Sequence, residues 1–222
     1  MELTLAIETS SATYGAAVFD TRRIHATRTV QRTDPTFVSI GELVAACVGS
    51  AGFEFDAIGR VSVDLGPGNL GSVRAGVAYA NGLGFSLGIP VVGVDSLRLL
   101  ALTAHPAGES PVLCVRKSAS GQVYAGLFTP DGRAAYRHGP HAETVRSLAA
   151  GQDTLVLAGS LIKETRQFLG DLAAVDSGVA VPDVLVQRHA IEADHHVAAS
   201  PASPITEAAP LFSPVEDRAN HD

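Results

Sequence analysis

The segment VSVDLGPGNLGSVRAG, residues 61–76, joins an apolar run to a predicted helix through a turn rich in glycine. The first turn of a helix leaves backbone N–H groups without internal acceptors, so such a junction suits an anion or a closely packed neighbour. It is the pattern in this chain most able to bind a ligand. The candidate turn residues are Gly66, Pro67, Gly68, Asn69, Gly71 and Arg74.

The glycine spacing admits a second interpretation. G-x-G-x-x-G after a strand and before a helix matches a dinucleotide-binding turn, and Asp95 ends the next strand at the interval at which such folds bind ribose. Against it, the turn does not follow the first strand and Pro67 removes one donor. No lysine follows Gly71, which excludes a phosphate loop of the G-x-x-x-x-G-K kind. A small nucleotide- or dinucleotide-binding protein that uses the turn therefore stays as the alternative function.

The helix predicted over residues 72–87 carries Gly76, Gly82 and Gly84, each of which destabilises a helix interior by about 1 kcal/mol relative to alanine. Small residues recur on it at spacing four and form one stripe that lets another surface approach closely. That surface is either the chain's own sheet or a second protein, and the sequence leaves both open. The stripe consists of Ser72, Gly76, Ala80 and Gly84.

Few residues in the chain have the pattern of a catalyst. Glu8, Thr9 and Ser10 end the first predicted strand, but a single carboxylate there favours the remnant of a nucleotide site over an active ATPase. Histidines 25, 105, 138, 141, 189, 195, 196 and 221 include no pair four apart on a helix. His138 and His141 are expected in a loop around Gly139 and Pro140, exposed to solvent. We assign no catalytic residue and no metal ligand.

Composition bounds the class of protein. With 222 residues, 46% hydrophobic and 18% charged, the chain has the balance of a soluble domain with a buried core. Residues 1–166 hold 14 basic and 14 acidic side chains, so the net charge of −7 comes from residues 167–222. A neutral body predicts no tight RNA or DNA binding by the chain alone. Without a leader or an apolar run of membrane length, and with buried Cys47 and Cys114, we expect a cytoplasmic protein with no membrane partner.

The order of predicted elements indicates an α/β protein of two lobes, of which the second is reduced. Three short antiparallel strands open the chain, a helix with an apolar face follows, and helix and strand then alternate. We assign residues 1–104 to the first lobe, 105–199 to a smaller second lobe and 200–222 to a proline-rich acidic tail. The apolar face of the first helix consists of Ile40, Leu43, Val44 and Cys47.

Four segments in this order resemble the bacterial TsaB family, also called YeaZ: LTLAIETSSATYGAAVFD, the block from VSVDLGPG to GVDSL, GQVYAGLF and APLF. The resemblance covers essentially the full length, and its central block is specific. It implies the actin-like ATPase fold, which is ribonuclease H-like. It also implies a non-catalytic subunit that binds the paralogue TsaD, with the ATPase TsaE, for threonylcarbamoyl transfer to the adenosine beside the anticodon of tRNA.

Further expectations follow from that resemblance. In the family the first two helices bind the partner or a second copy, so the interface would use the first-helix face together with Ser72, Gly76 and Ala80. A homodimer is thus an alternative assembly. The isolated chain would bind no cofactor tightly, ATP or ADP would bind at the interface of the complex, and tRNA would be reached only through the complex.

The chain departs from the family pattern at four places. The usual turn Gly-Pro-Gly-Ser-Phe-Thr-Gly-Leu-Arg keeps only its first three residues and Arg74, and the His-Ser-Glu that commonly begins the first helix is absent. The later strand end Asp-Ala-Arg reads Val115-Arg116-Lys117, and the terminal Pro-Leu-Tyr-Leu-Arg reads Pro-Leu-Phe-Ser-Pro at 210–214. These changes put the usual partner affinity in question and leave the fold prediction intact.

Overall fold

Two mixed β-sheets organise the chain in a computed structural model that describes residues 2–36, 39–105, 109–193, 197–198 and 201–206. In the first sheet the strand order is β5-β4-β1-β2-β3, with β1, β4 and β5 parallel and β2 and β3 antiparallel. All six residues of β1 are buried, as expected of a central strand covered on both faces. The strands are β1 Leu3–Glu8, β2 Thr13–Phe19, β3 Ile24–Gln31, β4 Ile58–Asp64 and β5 Val91–Val94.

The second sheet repeats the first. Its order is β10-β9-β6-β7-β8, with the same parallel and antiparallel neighbours. The predicted two-lobed α/β architecture is therefore confirmed. The strands are β6 Val112–Lys117, β7 Gln122–Phe128, β8 Ala134–Pro140, β9 Thr154–Gly159 and β10 Ala173–Asp176.

Helices cover the sheets and begin at recognisable caps. Ser39 and Glu42 form a reciprocal capping box at the first helix, and Asn69 caps the second by accepting from the Ser72 amide. Within the described ranges, no helix combines the length and apolarity needed to cross a membrane. The helices are α1 Ile40–Ser50, α2 Leu70–Leu87, α3 Ser96–Ala104, α4 His141–Ala149, α5 Ile162–Phe168 and α6 Val186–Glu192.

The prediction of a solvent-exposed loop around Gly139 and Pro140 is wrong. His138 lies in β8, where its Nε2 is 3.1 Å from Ser118 Oγ, and His141 begins α4 with its Nε2 2.8 Å from Thr165 Oγ1. Both histidines are half-buried. Four of the seven residues of β8 are exposed, so its sequence needs no alternation of apolar and polar residues. Without that alternation, no sequence pattern predicts the strand.

The predicted end of the second lobe at residue 199 is also wrong. After residue 183 the chain returns to the first lobe, where a last strand, β11 Val197–Ala198, pairs with β5. Gln187 is fully buried there, because its Nε2 donates to Ile7 O at 2.9 Å and its Oε1 accepts from Ser62 Oγ at 2.6 Å. Ile205 packs into the same core and its amide donates to Leu65 O. Residues 207–222 of the predicted tail lie outside the described residues.

The small-residue stripe and the first-helix face both point inward. Leu43, Val44 and Cys47 are 5%, 0% and 0% exposed and pack against the first sheet. Ser72, Gly76 and Ala80 are likewise buried, so the stripe serves the chain's own packing, and the prediction that these residues form a partner surface is wrong. Ile40 is half-buried at the start of α1. The outward sides of α1 and α2 are exposed and could still contact a partner.

We expect Gly76→Ala to destabilise the fold. A Cβ at Gly76 would meet Thr9 Oγ1 at 2.2 Å, and overpacking of this kind lowers the free energy of unfolding by about 1–3 kcal/mol. Gly82 of the same helix has no heavy atom within 4 Å of its Cβ position, so Gly82→Ala is the matched control and should raise the free energy of unfolding by about 0.5–1 kcal/mol. Urea denaturation measures both, and equal effects would contradict the inward packing of Gly76.

Candidate functional site

Three segments that are distant in sequence meet at Ser10, between the lobes. The Ser10 carbonyl accepts from the Asn69 amide at 2.8 Å and from Arg116 Nη2 at 2.9 Å. The Ser10 hydroxyl accepts from Arg116 Nη1 at 2.9 Å. The turn after β1, the glycine turn and the end of β6 are thereby joined at one residue.

The glycine turn is shaped by this contact. A Cβ at Gly68 would lie 2.3 Å from the Ser10 carbonyl oxygen, so only glycine fits that approach. Gly66 has φ +84°, and its amide donates to Asp64 Oδ1 at 2.6 Å. Gly71 and Arg74 are exposed on α2. Because the amides of Gly66 and Asn69 are used internally, the turn has the bonding of a packed junction, which argues against the dinucleotide alternative.

The residues assigned to a remnant nucleotide site are engaged in the same junction. Thr9 Oγ1 donates to Ser72 O at 2.9 Å, which fixes the start of α2 against the end of β1. Glu8 Oε1 accepts from the Ser10 amide at 2.7 Å and from the Ser10 hydroxyl at 2.6 Å. The structure thus brings Glu8, Thr9 and Ser10 together with the glycine turn, and each side chain is committed to an internal contact.

Glu8 is 2% exposed and is only half satisfied. Its Oε2 has no hydrogen-bond partner among the described residues. Burial raises the pKa of Glu8 well above its usual range, and the neighbouring Asp64 carboxylate raises it further, against the lowering by Ser10 and Arg116. A buried carboxyl with a raised pKa is therefore placed at the base of the junction.

Asp64 is the second buried acid, and sequence reasoning missed it. It is 0% exposed, and both of its carboxylate oxygens accept from Ser96 Oγ, at 2.5 and 2.6 Å. The Ser96 amide in turn donates to Gly66 O at 2.8 Å. Asp64 thus ties the end of β4 to α3 and to the glycine turn. Its place directly before Leu65-Gly66-Pro67 was the available signal.

A cavity of about 430 Å³ lies beside Ser10, between the two lobes. Its lining mixes polar and apolar surface and carries three cationic side chains, of which Arg116 is 9% exposed. We call it the interlobe cleft, and its described lining consists of Ser10, Ser11, Ala12, Arg32, Gly68, Asn69, Arg116, Lys117, Ser118, Ser160 and Ala180. In the sequence Arg116 and Lys117 were noted as departures from the family pattern, and no pattern predicted that they line a cavity.

Small and apolar residues occupy much of the outward side of α2, next to the exposed Arg74 and Ser86. Five of its exposed residues are spaced four, three, four and three apart, the spacing with which one helix packs along another. Phe85 is 92% exposed and borders a largely apolar groove of about 610 Å³ that Ile89, Pro90 and Pro201 also line. We define the α2 outer face as Gly71, Ala75, Ala78, Gly82 and Phe85.

The side chains that bind metals most often are dispersed over the described part of the chain. It contains no group of three or more His, Cys, Asp or Glu side chains placed to hold a metal ion. The acidic segment with His195 and His196 lies outside the described residues.

Comparison with known proteins identifies the family. The model of the TsaD family, described as tRNA N6-adenosine threonylcarbamoyltransferase, matches residues 37–154, which is more than half of the chain. The chain belongs to this family. A TsaB protein for tRNA threonylcarbamoyladenosine biosynthesis from Bacillus subtilis is 32% identical over 126 residues, covering 56% of this chain and 54% of its own length.

Solved structures agree in fold. YeaZ from Pseudomonas aeruginosa superposes with a TM-score of 0.76 at 22% identity, over 93% of this chain and 100% of the other. A second Pseudomonas aeruginosa protein, described as similar to peptidase YeaZ, gives the same TM-score at 24% identity, over 93% and 99%. Both solved structures share the fold of this chain, and the predicted actin-like ATPase fold is confirmed.

Transferases of the family are matched over a shorter stretch. The tRNA N6-adenosine threonylcarbamoyltransferase of Moorella thermoacetica is 39% identical over 59 residues, 27% of this chain and 17% of its own length. That of Clostridium perfringens strain SM101 is 37% identical over 80 residues, 24% of its own length. The chain thus matches less than a quarter of the length of these enzymes.

We expect Glu8→Gln to change how stability depends on pH. The raised pKa of Glu8 means that the folded state holds this proton more tightly than the unfolded state, so the wild type loses stability as pH rises above about 4.3. Glutamine keeps an oxygen acceptor for Ser10 and does not titrate. The free energy of unfolding of Glu8→Gln minus that of the wild type should therefore increase between about pH 5 and pH 8, as urea denaturation measures.

Glu54→Gln removes an exposed carboxyl and is the matched control for that experiment. Its pH profile should run parallel to that of the wild type. A parallel profile for Glu8→Gln as well would show that the buried carboxyl does not retain its proton.

Proposed function

We propose that this chain is a non-catalytic subunit that binds a TsaD-like paralogue and, with a TsaE-like ATPase, supports threonylcarbamoyl transfer to the adenosine beside the anticodon of tRNA. The α2 outer face carries the proposal. A helix surface of small residues that ends in a 92% exposed phenylalanine is what close packing against a partner helix requires. The family match and the likeness to TsaB support the choice of partner.

Helix α1 extends the same surface. It contacts α2, and its residues Ala45, Ala46 and Gly49 are exposed, with no heavy atom within 4 Å of a Cβ placed at Gly49. Both helices thus present exposed small residues, and Tyr79 of α2 lies next to Gly41 of α1 where the two helices meet. A pair of helices from a partner could pack on these exposed residues at short interaxial distance.

The composition of the interlobe cleft supports a non-catalytic role. At the end of β6, where the family pattern has aspartate, this chain has the buried Val115, followed by Arg116 and Lys117. Glu8 and Asp64 do not line the cleft; they are 2% and 0% exposed, and each accepts an internal hydrogen bond from a serine hydroxyl. ATP or ADP would then bind at the interface with the partner, and tRNA would be held through the complex.

We expect Phe85→Ala and Ala78→Leu to weaken binding of the TsaD-like paralogue. The first change removes an aromatic contact and the second adds side-chain volume that would hold the helices apart, so each should reduce affinity at least about tenfold in isothermal titration calorimetry. Both positions are exposed, so the melting temperature should not fall. Val175, 65% exposed in the second lobe, provides the control Val175→Ala, which should bind as the wild type does.

If neither variant lowers the affinity for the TsaD-like paralogue, the α2 outer face is not the partner surface. A homodimer through the α2 outer face in the absence of the paralogue would be broken by the same substitutions, which sedimentation of the chain alone measures. A dimer that survives them uses another surface.

We also expect loss of the gene to lower threonylcarbamoyladenosine in bulk tRNA of its own organism, as nucleoside mass spectrometry measures. The wild type and Val175→Ala should restore the level, and a chain with both interface substitutions should not. An unchanged level after deletion would contradict the proposed role, while restoration by the doubly substituted chain would contradict only the surface.

A further inference from the structure

The groove at the end of α2 leaves large apolar side chains uncovered. It measures about 610 Å³, and Phe85, which is 92% exposed, lines it together with Ile89 and Pro90. None of the described residues that line it is charged. A charged group would lose hydration in such a groove without gaining a partner, so the lining favours an apolar, uncharged occupant.

The chain itself passes along this groove near its C-terminal end. Pro201 lines the groove, and the side-chain amide of Asn81 on α2 holds the next residue through two hydrogen bonds of 2.9 Å each. In these, Asn81 Nδ2 donates to Ala202 O and Asn81 Oδ1 accepts from the Ala202 amide. Ile205 then packs into the hydrophobic core beneath α2. Residues 201–206 are therefore fixed against α2 and its core.

The part of the chain that follows residue 206 contains a short apolar run. The largest apolar side chains among residues 207–222 are those of Leu211 and Phe212, which come directly after Pro210. A chain spans at most about 3.6 Å per residue, so residue 206 lies within about 18 Å of Pro201 and of the groove that it lines. Leu211 and Phe212 follow residue 206 by five and six positions, which is enough chain to return over that distance.

We propose that Pro210, Leu211 and Phe212 bind in the groove of their own chain and cover Phe85. Aromatic pairs stabilise a contact beyond the area that they bury, which favours Phe212 as the residue that contacts Phe85. Covalent attachment favours this occupant over a free one, because a tethered segment has an effective concentration on the order of millimolar. A partner that binds the α2 outer face would then have to displace the segment from Phe85.

Phe85→Trp places a fluorescent reporter in the groove, because the chain contains no tryptophan. The emission of the full chain with Phe85→Trp should lie at a shorter wavelength than that of the same chain with Leu211→Ser and Phe212→Ser added, since the serines leave the indole in water. Val215→Ser removes a nearby apolar side chain and is the matched control, which should not shift the emission. Circular dichroism checks that each variant is folded.

A synthetic peptide with the sequence of residues 207–216 identifies the binding site. Added to the chain with both serines at a concentration on the order of millimolar, it should return the emission to the shorter wavelength, and no return would contradict binding in the groove. Equal emission with and without the two serines, or an equal shift with Val215→Ser, would overturn the proposal. An emission that changes with protein concentration would overturn it as well, because the occupant would then belong to a second copy.

The proposal does not depend on the partner interaction, because every measurement uses the chain alone. Failure of the TsaD-like paralogue to bind would leave these results unchanged.

Discussion

The hydrogen bonds at Ser10 are the constraint on which the rest of the structure depends. Ser10 accepts hydrogen bonds from the backbone amide of Asn69 in the glycine turn and from the Arg116 guanidinium of the second lobe. One residue thus binds both the glycine turn and the second lobe. Because Ser10 also donates to Glu8, the junction continues to a buried acid next to Asp64. Arg116 is buried and bonded to Ser10 through two nitrogens, so the relative position of the two lobes is tied to these bonds.

Close packing against the first sheet explains two of the four glycines in α2. Gly76 admits Thr9, Gly84 admits Val91, and the inward stripe is therefore required by the sheet against which α2 packs. Since a helix turns about 100° per residue, satisfying the inward side leaves a separate set of small residues outside. Gly71 and Gly82 are the glycines of α2 that packing does not require, and both lie on the α2 outer face, where Gly82 has open space at its Cβ position.

The sequence predicted most elements of the fold, because their apolar periods are strong. The three opening antiparallel strands, the helix with an apolar face and the alternation of helix and strand after it all occur as expected from the pattern. The side of α2 that faces the core could not be predicted, since small residues occur on both sides and carry no hydrophobic contrast. The pairing of Arg116 with Ser10 spans 106 residues, and only the closure of the two sheets brings them together. Asp64 was missed because its place before Leu65-Gly66-Pro67 marks the start of the turn and does not show that the carboxylate is buried.

Helix α2 also runs from the interlobe cleft to the far end of the α2 outer face. Ser72 at its start bonds to Thr9 and Arg32 beside the interlobe cleft, whereas Phe85 lies near its end. At about 1.5 Å per residue these positions are about 20 Å apart along one helix. A ligand in the cleft would then influence a partner on α2 only by moving the helix as a whole. Because Gly76 and Ala80 pack without free space against the sheet, such a movement would require the lobes to change their contact at Ser10.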